Sequence, residues 1–177
     1  MAEAVAAPAL GRLVVVGLGL IGGSFAKGLR DKGLFREVIG VDLDPESRRM
    51  AVELGVVDRC EEDLAAACVG ADVIQLAVPI LAMQKLLGAL AQLPLGDAVL
   101  TDVGSAKGNV VRAATEAFGG MPARFVPGHP IAGSEQSGVE ASNAELFRRH
   151  KVILTPLDQT DPAALALVDR LWRELGA

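Results

Sequence analysis

Hydrophobic positions along the chain fall into two alternating rhythms. Short blocks rich in Val, Ile and Leu, bounded by Gly, Pro or Asp, alternate with longer stretches whose apolar residues recur every three or four positions. The blocks predict strands at Leu13–Val16, Val38–Val41, Val73–Ala77, Ala98–Thr101, Phe125–Val126 and Val152–Leu154. The stretches predict helices at Leu20–Lys32, Pro45–Leu54, Glu61–Cys68, Ile80–Gln92, Ala106–Phe118 and Pro162–Leu175. Strands alternating with helices of about a dozen residues imply right-handed βαβ units and a mostly parallel sheet, an α/β fold. Asp44-Pro45 and Asp161-Pro162 each set a capping acid before a proline in the first helical turn, and Gly55 follows Leu54 as a C-terminal glycine. The Ala-rich residues 1–10 predict a loose lead-in, and 11–177 a single domain. From Gly119 to Asn143 the pattern is less regular, rich in glycine, and contains His129.

Composition narrows this picture. Of 177 residues, 51% are hydrophobic but only 3% aromatic, so Val, Leu, Ile and Ala must build the core, as in buried parallel strands. A net charge of -5 with no lysine-rich run argues against a nucleic-acid partner. Cys60 and Cys68 match neither a CxxC redox pair nor a zinc-ligand spacing, which predicts structural thiols in a reducing compartment. The apolar start has Glu3 where a signal peptide would carry a base, and glycines break it before Lys27. The expectation is a soluble, cytoplasmic protein without a membrane partner.

Gly17-Leu18-Gly19-Leu20-Ile21-Gly22 fits G-x-G-x-x-G, directly after a predicted strand and opening a predicted helix. In that context it resembles the dinucleotide-binding turn of a doubly wound, Rossmann-type sheet. Gly17 permits the tight turn, Gly19 lets backbone approach a pyrophosphate, and Gly22 allows helix and strand to pack closely. Asp42 ends the second strand twenty residues beyond Gly22. An acid there accepts hydrogen bonds from the adenosine ribose and repels a 2′-phosphate, so NAD is the predicted cofactor. A solvated acid in a turn with Asp44 is the plainer alternative, and nearby Arg48 and Arg49 leave room for some NADP binding. Ala77-Val78-Pro79 closes the next strand, either turning the chain away from a cofactor or simply ending the strand.

Two further motifs follow strands on the same sheet edge. In Thr101-Asp102-Val103-Gly104-Ser105-Ala106-Lys107-Gly108, Ser105 is a candidate site residue or merely an N-cap. In Gly128-His129-Pro130-Ile131-Ala132-Gly133-Ser134-Glu135-Gln136-Ser137-Gly138, a lone histidine is more often structural. Here its position between a strand end and a run of Gly, Ser and Glu favours a site. His150, between Arg149 and Lys151, reads as surface structure.

In order and spacing, GLGLIGGS, VD, AVP, TDVGSAKG and GHPIAGSEQSGVE resemble the nucleotide-binding domain of the prephenate/arogenate (cyclohexadienyl) dehydrogenase family. KVILTP, followed by an amphipathic helix containing Trp172, resembles the close of that domain. The resemblance implies NAD-dependent oxidative decarboxylation of prephenate or arogenate in tyrosine biosynthesis. It implies that His129 takes a hydrogen bond or proton from the substrate C4 hydroxyl, a task suited to a neutral imidazole. It also implies that Ser105 binds the same hydroxyl and orients His129, that Ser134 lines the substrate pocket, and that Glu135 gates it. No metal enters this scheme, and the sequence offers no ligand cluster for one. The family continues into a helical domain that dimerises and supplies an arginine for the substrate carboxylate; no arginine here occupies that position. The expectation is therefore a fragment or isolated cofactor-binding domain, weak or inactive as a catalyst, with an apolar face exposed. Two rivals stand beside this reading. An imine, pyrroline-carboxylate or hydroxyacid reductase would lack the His-Pro-Ile-Ala-Gly segment, and a non-catalytic NAD-binding module would not need Ser105 and His129.

Overall fold

In a computed structural model that describes residues 10–177, strand β1 (Leu10–Val16) lies at the centre of a six-stranded sheet. Its companions are β2 (Phe35–Val41), β3 (Arg59–Glu61), β4 (Val73–Leu76), β5 (Val99–Asp102) and β6 (Phe125–Val126), in the order β3-β2-β1-β4-β5-β6, all parallel. Helices α1 (Leu20–Asp31), α2 (Pro45–Glu53), α3 (Leu64–Cys68), α4 (Ile80–Leu90), α5 (Lys107–Phe118) and α6 (Pro162–Glu174) connect and cover it. Asp44 and Asp161 cap α2 and α6 as their sequences predict, each accepting from the backbone N–H two residues on. The predicted lead-in lies outside the described residues except for Leu10, which already belongs to β1.

Alternation along the strands splits the core into two layers. Leu13 and Val15 of β1 face one side with Val73, Val99, Phe25 and Leu29; Val14 and Val16 face the other with Ile74, Leu76, Met83 and Leu87. The scarce aromatics are concentrated on the first side. Trp172 of α6 meets Phe25 of α1 and Phe147, each with ring centroids 4.9 Å apart, within the range of favourable tilted and edge-on contacts. This cluster secures α6, the last element, against the first helix.

Three elements depart from the sequence reading. The predicted helix Glu61–Cys68 is cut to five residues because Arg59-Cys60-Glu61 pairs with β2 as an edge strand. An ionic row from Arg12 through Glu37 and Arg59 to Glu61 runs across these strands; the Arg59 hydrogen bond holds the Glu37 carboxyl below its ordinary range. The strand at Val152–Leu154 (β8) is not part of the parallel sheet. It pairs antiparallel with β7 (Gly128–Pro130), a strand the sequence did not predict, in a separate two-stranded ribbon. His129 thus lies on a strand opposite Ile153.

Candidate functional site

The strand order reverses direction between β1 and β4, and at such a switch point the loops after adjacent strands part to leave a crevice. The glycine turn lies there. Gly17 has φ +97°, and a Cβ on it would stand 2.3 Å from the Ala77 carbonyl oxygen. At Gly22 a Cβ would lie 2.0 Å from the Gly17 carbonyl oxygen and 2.9 Å from the Ala77 Cβ. Both positions are closed to any side chain by neighbouring backbone. Gly19 is the opposite case: nothing lies within 4 Å of its would-be Cβ, so the chain is open on this side. Gly19 also caps α1 without a side-chain bond, and the first turn carries no acid. The unpaired N–H groups of that turn and the positive end of the helix dipole are therefore uncompensated, which suits an anion.

Within the turn, Leu18 contributes backbone rather than side chain, since its side chain is buried against Gly40. Leu20 and Ile21 are half-buried in the first turn of α1. Ala77, just past the end of β4, donates its N–H to the Val16 carbonyl at 2.7 Å and packs against Gly17 and Gly22. Val78 packs against the second core layer, and Pro79 is the N-cap of α4. The Ala-Val-Pro segment thus forms the wall of the turn opposite Asp42.

Asp42 is half-buried beyond β2. One carboxylate oxygen accepts from Leu18 N–H and the other from Asp44 N–H, both at 2.9 Å. It is thus tied directly into the glycine turn, which the plainer reading of a solvated acid did not foresee. Arg48 is not free beside it: one terminal nitrogen donates to the Asp42 and Leu43 carbonyls at 2.8 and 3.2 Å, the other to Glu62 at 2.9 Å.

Further along the same edge, the capping alternative for Ser105 fails. The N-cap of α5 is Ala106, without a side-chain bond, and Ser105 is exposed with no hydrogen-bond partner among the described residues. What organises this loop is a pair to which the sequence reading gave no role. Asp102, the last residue of β5, is fully buried; it accepts from Gly104 N–H at 3.0 Å, from Gly128 N–H at 3.1 Å, and from Lys107. Lys107 also donates to the Gly128 carbonyl at 2.7 Å. Burial pushes the Asp102 carboxyl up and the Lys107 ammonium down, each opposed by the partner's charge. The loop carrying Ser105 is in this way tied to the residue immediately before His129. An acid ending a strand with a lysine five residues on was the available clue, but the Gly128 partner is non-local.

His129 is half-buried, whereas Ser134 and Glu135 lie exposed on the coil that follows β7. Ser134 spends its hydroxyl locally, accepting from Gln136 N–H at 3.1 Å. His150 is exposed, with Nδ1 3.0 Å from the Arg148 carbonyl oxygen, in keeping with a surface role. Among the described residues no group of three His, Cys, Asp or Glu side chains is gathered that could hold a metal ion, and no helix is long and apolar enough to cross a membrane.

Both cysteines are free thiols. Burial pushes Cys68 up from 9.0 to about 11 and raises Cys60 as well. Cys68 in the native chain is therefore expected to react with iodoacetamide at pH 8 about a hundredfold more slowly than the same cysteine in denaturant, because two pKa units remove that much thiolate. Mass-spectrometric labelling rates across pH check this; a native rate equal to the denatured one would refute it.

A parallel sheet in the order 3-2-1-4-5-6 with an open glycine turn at its switch point defines a Rossmann-type nucleotide-binding domain. Comparison with known proteins specifies which one. The sequence model described as "Prephenate dehydrogenase, nucleotide-binding domain" matches residues 25–177, and the chain belongs to that family. Prephenate dehydrogenase of Lactococcus lactis subsp. cremoris is 38% identical over 149 residues, 84% of this chain and 42% of that protein. Prephenate dehydrogenase of Aquifex aeolicus, solved with hydroxyphenyl propionate and NAD+, superposes with TM-score 0.84 at 40% identity, covering 94% of this chain and 57% of that one. Synechocystis arogenate dehydrogenase superposes with TM-score 0.83 at 34% identity, covering 94% and 57%. The chain spans about half the length of the curated relatives it matches. A pyrroline-5-carboxylate reductase, at 15% identity and TM-score 0.71, shares the fold alone.

Proposed function

We propose that this chain is the cofactor-binding half of an NAD-dependent dehydrogenase that oxidatively decarboxylates prephenate or arogenate, the step that leads toward tyrosine. The observation that carries the reading is the single sheet edge where the open Gly19 turn, Asp42 and the Ser105 loop lie and to which the start of the His129 strand is tied. The residues present fit the dinucleotide. The open first turn of α1 takes the pyrophosphate, the Asp42 carboxylate retains lone pairs for ribose hydroxyls, and the Ala77–Pro79 wall lines the path toward β5. When bound, NAD supplies the hydride acceptor.

The chain's own residues handle the proton. His129 accepts it from the substrate C4 hydroxyl as hydride departs from the same carbon, and Ser105 holds that oxygen and the imidazole in line. Loss of carbon dioxide from C1 then makes the ring aromatic. Ser134 lines the pocket and Glu135 stands at its mouth. The half-exposed Ile131 and Ile153, beside and opposite the His129 strand, offer an apolar surface for the family's helical domain, which brings the carboxylate-binding arginine and the dimer contact.

The test is a calorimetric titration with NAD and NADP, followed by addition of prephenate or arogenate while NADH absorbance is recorded. Tighter binding of NAD, with turnover weak or absent until the helical domain is supplied and then abolished by His129→Ala, is the expected result. Binding of neither cofactor would sink the reading.

A further inference from the structure

The buried carboxylate of Asp102 touches neither the nucleotide cradle nor solvent, and the chemistry above gives it no task. A buried ion pair is weak evidence for stability, because apolar side chains of similar volume often serve as well or better. The bonds of this pair, however, all converge on two loops. Asp102 holds the N–H of Gly104 and of Gly128, and Lys107 holds the carbonyl of Gly128, which belongs to the peptide leading into His129. Only glycine permits this approach: a Cβ at position 128 would stand 2.9 Å from the Asp102 carbonyl oxygen. From these contacts we infer that Asp102, together with Lys107, is a positioning residue that locks the Ser105 loop against the peptide leading into His129. The inference rests on the role given to His129 above. It also accounts for why the lysine is turned inward, with its side chain only 16% exposed, rather than offered to a substrate.

Two variants of the 177-residue chain test it. Asp102→Asn keeps the shape, but its amide must turn an N–H₂ toward either Gly128 N–H or the Gly104 and Lys107 donors, so one side of the clasp opens. Lys107→Met removes the other arm at a position nearer solvent and decides the matter alone if the Asn variant does not fold. Melting temperature monitors the fold, NAD titration monitors the cradle, and exposed His150 serves as the reference imidazole.

Amide exchange at Gly104 and Gly128 is expected to quicken about tenfold or more. The His129 imidazole titration followed by NMR is expected to move away from the parent's, while that of His150 and the NAD affinity stay as they were. The inference is overturned if the exchange at Gly128 and the His129 titration both match the parent. It is equally overturned if exchange quickens uniformly through the sheet, which would make Asp102 a stabiliser of the whole fold. A parent that binds no NAD would defeat the proposed function, yet the exchange and titration would still read the clasp.

Discussion

Gly19→Val is expected to leave the fold intact and weaken NAD binding about a hundredfold, whereas Gly17→Ala should damage the fold itself. The two glycines belong to one turn, but their surroundings are opposite. Gly19 sits at φ -86° and ψ -160°, a conformation any residue adopts, and a side chain there meets nothing within 4 Å. The space it fills is open, and it adjoins the start of α1, which Gly19 caps. A branched side chain there keeps phosphate oxygens from one or two charge-assisted hydrogen bonds, each worth about 1.5–3 kcal/mol. Gly17 sits at φ +97° with backbone 2.3 Å from its would-be Cβ, so alanine meets both strain and overlap, together about 3 kcal/mol or more. Thermal melting combined with calorimetric titration separates the two outcomes. A Gly19→Val chain that binds NAD like the parent would show that phosphates do not come to this helix end, and the cradle assignment would fall with it.

The glycine turn could be read from sequence because its constraints are local: strand, turn and helix start are contiguous, and Gly17 is closed in by Ala77 just past the adjoining strand and Gly22 by Gly17 and Ala77, while Gly19 is left open. The same holds for the proline-marked starts of α2 and α6. What stayed hidden was set at a distance. Gly128-His129-Pro130 has none of the β-branched residues that mark a strand, and it becomes one only because β8 lies alongside; its proline is tolerated because the ribbon has free edges. Arg59-Cys60-Glu61 reads as a polar approach to a helix until Glu37, on the neighbouring strand, supplies the charge that Arg59 needs. Ser105 has the composition of an N-cap, yet the backbone starts its helix after Ala106, because Lys107 is drawn inward to Asp102 and Gly128. The shape of the glycine turn was therefore largely legible, while the geometry that ties the Ser105 loop to the start of the His129 strand depends on partners 21 to 26 residues apart.

The same contrast between local and distant partners decides what happens at Asp42. Asp42→Ala is expected to weaken NAD binding by about 2 kcal/mol or more, roughly thirtyfold, without creating a preference for NADP. The loss has two parts. The ribose hydroxyls lose their acceptor, and Leu18 N–H, held at 2.9 Å by the carboxylate, is left without its partner in the glycine turn. NADP gains the removal of a repelling charge, but a 2′-phosphate also needs a cation. Arg48, the nearest guanidinium on α2, is committed to the carbonyls of Asp42 and Leu43, which a side-chain substitution leaves in place. Its further bond to Glu62 lies on the surface, where such pairs contribute about 0–1 kcal/mol. Glu62→Gln alone should therefore not release the arginine. Titration of Asp42→Ala and of the Asp42→Ala/Glu62→Gln pair with both dinucleotides checks this. NADP affinity close to the parent's in each is the expected outcome. A rise of tenfold or more in the single variant would show that Arg48 swings to the phosphate, and that Asp42 excludes NADP by charge rather than by the arrangement of the backbone around it.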